Sequence, residues 1–423
     1  MNTLIKNGRV IDPTNNHDDI QDIYICQDKI LQLGGTVEGF VADRVIDATG
    51  RVIMPGFVDI NTHLPELGYG QKANIKSEAK AAAAGGFTTI CFQPDTKPTI
   101  DTSAVAQLVL DNAGSAGFAK VLPLGALTSA LEGKTLTEML SLNKVGCVAM
   151  SQVPCTHIDS QILRRALQYA STHNILVILK AEDFSIKDNG CVHEGAISAS
   201  LGLPGIPSSA ETVALAQMIE LVEETNARIH VTGISSARAV AMLRRAQQAN
   251  LPITADVHAY QLHLTEVDIG TFDPNFHTSP PLRSTSDKEA LIEGVKAGVL
   301  FVSSGHSPVD FEAKQAPFPE TETGISSIEI VLPLMLQFVD QGILTLHQVA
   351  ERLSQNPANV LGLNTGHLSP QSPADISIIN LDSTWLVTPD NWFSRGLNSP
   401  FFGHLMKGQL THTLVNGRLV YEK

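Results

Sequence analysis

The chain has 423 residues, 43% of them hydrophobic and 17% charged, with 32 Gly and 22 Pro scattered without a period. That composition describes a globular protein with a large core and excludes disorder and collagen-like repeats. The net charge of −14 leaves no electrostatic reason to hold a phosphate backbone or an anionic lipid surface, so no nucleic-acid or membrane partner is expected. At about 150 residues per ordinary domain the length is that of two or three units, or of a barrel with an accessory domain.

The N-terminal MNTLIKNGRVIDPTNN lacks the apolar run of a secretory signal, and no stretch of 18 apolar residues occurs. Cys26, Cys91, Cys147, Cys155 and Cys191 form no CxxC pair. An odd number of cysteines without a signal reads as reduced thiols, and a cytoplasmic location is expected.

Near the start, Leu4-Ile5-Lys6-Asn7-Gly8-Arg9-Val10-Ile11 sets Asn-Gly between apolar runs. This is a hairpin signal, because a type I′ turn needs positive φ at both central residues. The far end repeats it in Thr413-Leu414-Val415-Asn416-Gly417-Arg418-Leu419-Val420-Tyr421. Residues 1–54 and 364–423 are therefore expected to fold together as one β domain, with 55–363 inserted between them.

Within the insertion, apolar strands alternate with helical stretches, the pattern of βαβ units and a parallel sheet. The strand candidates are Val52–Asp59, Phe87–Gln93, Lys120–Leu127, Val145–Met150, Ile175–Lys180, Arg228–Gly233, Pro252–Asp256 and Gly298–Ser303. Helical patterns cover Ser209–Thr225 and Ala237–Gln248. Eight such strands have the size of a (β/α)8 barrel, an α/β fold whose site lies at the C-terminal strand ends; an open doubly wound sheet is the competing arrangement. At those ends His63 and His306 are isolated, and Lys180 is no metal ligand unless modified. No trio of imidazoles or carboxylates assembles into a hydrolytic zinc site with an open position for water.

The segments MPGFVDINTHLPELG, GGFTTICFQPDTKP, ILVILKAED, ARIHVTGISS, SPPLR, SSGHSP, NPANVLGL and ADISIINLD, in that order, resemble the dihydroorotases of the amidohydrolase superfamily. The resemblance spans nearly the whole chain. It implies a TIM barrel carrying a small β-sandwich made from both termini, and in the family a zinc centre that hydrolyses and closes the dihydroorotate ring of pyrimidine synthesis.

Set against that motif, the site residues depart one by one. The first-strand Asp-x-His-x-His stands as Asp59-Ile60-Asn61-Thr62-His63, so one imidazole is an amide. Where relatives carry a carbamylated lysine or an aspartate there are Ser151, Gln152 and Val153. The strand-five histidine is Lys180, the strand-six histidine is Gly233, and the strand-eight aspartate, which also transfers the proton, is Gly305. A zinc-bound water has a pKa near 7 against 15.7 for free water, so its loss forfeits about 12 kcal/mol of nucleophile activation. The family's substrate-carboxylate anchors, an arginine, an asparagine and a histidine, are Pro65, Asp95 and Val309. Turn and packing positions such as Gly85-Gly86, Pro280-Pro281 and Asn416-Gly417 are kept.

An emptied site on a preserved fold resembles the inactive dihydroorotase-like chains that accompany the catalytic chain of bacterial aspartate carbamoyltransferase, commonly six of each. The resemblance implies a pseudoenzyme without zinc that supports this partner in UMP synthesis. The alternative is an active dihydroorotase or other cyclic amidohydrolase with a reorganised site, using Lys180, Glu182, Asp183, His230, Asp256, His258 or His306 as acid or base. A third reading is a ligand-binding module, with the charged segment His306–Glu320 as lid or contact surface; its plain reading is a solvated loop.

Overall fold

The computed structural model describes residues 1–64, 66, 68, 70, 72–153, 158–270 and 272–423. Pro65 and Cys155 fall outside the described residues.

Among the described residues, eight parallel strands close a barrel. In chain order they are Phe57–Thr62, Phe87–Phe92, Lys120–Pro123 continuing as Gly125–Ala126, Met150–Ser151, Val177–Lys180, Ile229–Thr232, Ile253–His258 and Phe301–Ser303. The third strand changes partner across Leu124, whose N–H reaches Phe92 O at 2.9 Å, while Gly125 N–H bonds Ala149 O at 3.0 Å. Closure of the eighth strand on the first comes from the parallel bridge of Thr62 with His306 and from His63 N–H on His306 O at 2.8 Å. The strands are short apolar runs because helices cover their outer faces while side chains fill the inside. Ser209–Thr225 and Ala237–Gln248 are helical over the expected ranges. The first ends on Asn226 at φ 50°, the left-handed stop that asparagine tolerates.

Strands from both termini share one sheet, in the order 418–422, 405–415, 376–386, 52–55, 2–12, 17–26, 29–33, with 44–47 also paired to 2–12. The strand Asn2–Asp12 meets Arg44–Asp47 along one half and Val52–Ile53 along the other. This divergence wraps the sheet into a sandwich around Ile5, Val10, Ile25, Ile53, Ile376 and Leu414.

Three expectations need correction. Val52–Asp59 is not one strand: Val52–Pro55 belongs to the terminal sheet and Phe57–Thr62 to the barrel. Gly56 makes the crossing, where a β-carbon would lie 2.2 Å from Thr88. Val145 ends a helix begun at Met139, and the fourth strand is only Met150–Ser151. Asn7-Gly8 makes no hairpin turn. Asn7 has φ 61°, but it lies inside Asn2–Asp12 at a bulge where the register shifts between Ile5 and Gly8.

Candidate functional site

A cleft of about 570 Å³ opens at the C-terminal ends of the barrel strands, lined by Asn61, His63, Asp95, Lys180, Gly233, Gly305 and Val309 among others. These positions, scattered over some 250 residues of sequence, thus face one space. Ser151 lies just beneath, joined through Gln93.

The floor of the cleft is a head-to-tail chain of hydrogen bonds. Ser151 Oγ donates to Gln93 Oε1 at 2.8 Å, Gln93 Nε2 to Asn61 Oδ1 at 3.1 Å, and Asn61 Nδ2 to His258 Nε2 at 2.9 Å. Because Nε2 accepts, the proton of His258 sits on Nδ1 and points at the Tyr260 hydroxyl, 2.8 Å away. Burial pushes His258 down to about 4, so the ring is neutral at physiological pH, as this tautomer requires. The chain ties the fourth, second, first and seventh strands together. Sequence reasoning placed His258 only among acid–base candidates and missed its partners Asn61 and Tyr260, and Gln93 as the partner of Asn61; the paired glycines at 233 and 305 were the available sign that another group fills the space.

Below this layer the barrel's own donors occupy two buried carboxylates, Asp59 and Asp256. Asp59 accepts from the Ser304 N–H at 2.8 Å and from the Ser304 and Thr62 hydroxyls at 2.5 Å; burial nonetheless raises it above the usual carboxylate range. Asp256 accepts from His230 Nε2 at 2.9 Å, Thr232 Oγ1 at 2.8 Å, the Gly233 N–H at 2.9 Å and Ser303 Oγ at 2.9 Å. Burial alone would raise it, but the His230 bond and the other donors hold it below the ordinary range.

The remaining acid–base candidates are also engaged. His230 Nδ1 meets Thr254 Oγ1 at 3.0 Å. His306 spans Glu78 at 2.9 Å and the Ser327 N–H at 3.1 Å, fully buried. Asp183 caps the short helix Phe184–Lys187 by accepting from the Ser185 and Ile186 N–H groups. Lys180 Nζ lies 3.2 Å from Glu182 and 2.5 Å from Ser279 Oγ, and Lys187 reaches the other Glu182 oxygen at 3.1 Å. Burial works to raise Glu182, yet the two ammonium groups hold it low. At the rim His63 Nδ1 pairs with Asp95 at 3.1 Å, and Lys72 with Glu322.

The donor set does not fit a zinc ion. Among the described residues no three His, Cys, Asp or Glu side chains converge as a metal-binding group, and Asn61 and Lys180 supply no anionic or imidazole donor. In the segment His306–Glu320, Phe311, Glu312 and Gln315 are exposed, while Lys314 is buried and donates to Pro274 O at 2.8 Å and Glu322 O at 2.7 Å. From the sandwich side, Asn398 accepts from the Val309 N–H and donates to Ser307 O and Gly324 O, each at 3.0 Å.

A closed barrel with a terminal β-sandwich and a cleft at the C-terminal strand ends defines an amidohydrolase-type fold. It is shared with L-hydantoinase from Arthrobacter aurescens, at a TM-score of 0.89 and 24% identity over 100% of this chain and 96% of that one. A D-hydantoinase structure gives a TM-score of 0.86 at 24% identity, again covering 100% and 96%. In sequence, the Dihydro-orotase-like family model matches residues 50–239. A dihydroorotase-like protein of Pseudomonas aeruginosa is 43% identical over 423 residues, 100% of both chains. A protein named dihydroorotase from Syntrophus aciditrophicus is 39% identical over 425 residues, 100% of both. The chain belongs to the dihydroorotase-like family. Among the described residues no helix is long and apolar enough to cross a membrane.

Proposed function

We propose that this chain is a non-catalytic, zinc-free dihydroorotase-like subunit of the cytoplasm. In this reading it assembles with the catalytic chain of aspartate carbamoyltransferase, six of each, and supports that partner in de novo pyrimidine synthesis. The observation that carries the loss of chemistry is the closed hydrogen-bond chain from Ser151 to Tyr260, which engages the groups at the cleft floor with one another. The substrate side agrees: Asp95 would set a carboxylate against the dihydroorotate carboxylate, a repulsion of about 4 kcal/mol at roughly 4 Å and an effective dielectric of about 20. The partner assignment rests on the resemblance to inactive chains of this kind.

An amidohydrolase with a reorganised site is the second reading, favoured by the open cleft and by Lys180 standing 2.5 Å from the Ser279 hydroxyl. One experiment separates them. Carbamoyl-aspartate formation by the same organism's aspartate carbamoyltransferase catalytic chain is measured alone and with this chain titrated in, with the mass of the complex read from the same samples. Activity or stability that saturates at a fixed ratio is expected. A catalytic chain fully active by itself, with no complex formed, overturns the partnership. Dihydroorotate turnover by this chain alone, or one zinc retained per chain after purification without chelator, overturns the non-catalytic reading.

A further inference from the structure

The departures at 233 and 305 are linked through a single side chain, that of His258. A β-carbon on Gly305 would lie 2.4 Å from His258 Cγ, 2.6 Å from Nδ1 and 2.8 Å from Cδ2. One on Gly233 would lie 2.9 Å from Nε2 and 3.1 Å from Cε1 of the same ring. The imidazole therefore runs beneath two glycine backbones, Gly305 over its Cγ edge and Gly233 over its far edge, and neither position has room for a side chain while the ring is there. The ring is buried and bonded at both nitrogens, so it cannot simply yield, and Pro280 Cδ crowds the Gly233 β-carbon position as well, at 3.3 Å.

We propose that His258 is an intramolecular plug: its imidazole fills the centre of the barrel mouth, bridges Asn61 to Tyr260, and excludes any side chain, and hence any metal-ligand set, at positions 233 and 305. This deepens the zinc-free reading of the cleft and rests on it. It assigns the ring a positive task, because a hydrogen-bonded imidazole joins the ends of the first and seventh strands where a metal would otherwise gather side chains. It also makes the loss directional. Restoring ligands at 233 and 305 is blocked until His258 is removed, whatever stands at 61 and 180.

The test is a thermal-melting cycle of Gly305→Ala and His258→Gly in the full chain. Gly305→Ala combines strain at φ 57° with the collision against the ring; in the His258→Gly background only the strain remains. The same alanine is therefore expected to lower the midpoint by roughly 5 °C more with His258 present than without it. Additive effects within about 1 °C overturn the plug. A second readout separates bridging from mere filling. Imidazole added to the His258→Gly protein is expected to raise its midpoint, whereas pyrazole, of equal size but with adjacent nitrogens that cannot span Asn61 and Tyr260, is expected to do so less. Equal rescue by both, or by neither, overturns the bridge. Should His258→Gly not fold unaided, refolding with each heterocycle gives the same reading: recovery with imidazole only supports the plug, and any other pattern counts against it. The cycle involves no partner chain, so a failed aspartate carbamoyltransferase titration and a failed cycle are separate results.

Discussion

Asn61 occupies the middle of the buried chain, accepting from Gln93 and donating to His258, and it is 4% exposed. Asn61→Leu keeps the branched shape and heavy-atom count but leaves Gln93 Nε2 and His258 Nε2 facing an apolar group. Two orphaned buried polar atoms at about 1–3 kcal/mol each put the expected loss near 3 kcal/mol in urea unfolding. His63→Ala removes a pair in which His63 is 25% and Asp95 26% exposed, and such rim pairs contribute about 0–1 kcal/mol. The ranking is the test: if His63→Ala costs as much as Asn61→Leu, the buried chain is not what holds the barrel mouth together. At this scale the sequence located the positions but not their partners. Asn61, Ser151, Lys180, Gly233 and Gly305 could be picked out one by one from a motif, whereas the bond from Asn61 to His258 spans 197 residues and leaves no local trace.

Among the elements, what could be read was what local physics decides. Ser209–Thr225 and Ala237–Gln248 follow from helical periodicity and their termini. The two Asn-Gly pairs mark the limit. Asn416 and Gly417, at φ 47° and 70°, turn between Leu405–Val415 and Arg418–Glu422 as expected. Asn7-Gly8 instead sits in a bulge, because a β-carbon on Gly8 would fall 2.3 Å from Ile53; the glycine answers a strand 45 residues away, not a turn. The same holds for the segment Trp392–Ser399, which reaches from the sandwich to the lip of the cleft. Its Asn398 ties together Ser307, Val309 and Gly324 through three bonds. Asn398→Ala is expected to free the Val309 N–H and loosen this loop, raising amide hydrogen exchange across 307–324 at least tenfold while exchange in the strand Ile376–Leu386 stays unchanged. Uniform acceleration across both regions would instead mean a global loss of stability, and unchanged exchange at 307–324 would mean that Asn398 does not anchor the lip.

The whole molecule carries two sets of buried groups that pull stability in opposite directions with pH. Burial lowers His258, His263 and His277 each to about 4 in the folded chain, against about 6.5 when unfolded. Between these values the unfolded state binds more protons, so stability rises with pH by up to about 1.4 kcal/mol per unit for each ring, and is lost as pH falls from 6.5 toward 4. Glu329 has the opposite sign. Burial, reinforced by the nearby Glu78 carboxylate, raises it to about 8 despite its bonds from the Phe393 and Ser394 N–H groups. There the folded state holds the extra proton from about 4.5 upward, and stability falls by up to about 1.4 kcal/mol per unit until pH 8. Asp59, raised by burial, acts in the same sense. Below pH 6.5 the three rings outweigh the raised carboxyls, and above about 7 the carboxyl term dominates, opposed near pH 8 by Lys314, which burial lowers to about 8 and which makes stability rise with pH there. The melting temperature is therefore expected to peak between about pH 6 and 7 and to decline toward pH 8. Glu329→Gln keeps a neutral group in the same place and should flatten the alkaline limb while leaving the acid limb intact. Calorimetry of both proteins from pH 4.5 to 8 decides the matter: a wild-type midpoint still rising at pH 8, or an alkaline decline that persists in the glutamine variant, would remove Glu329 as its cause.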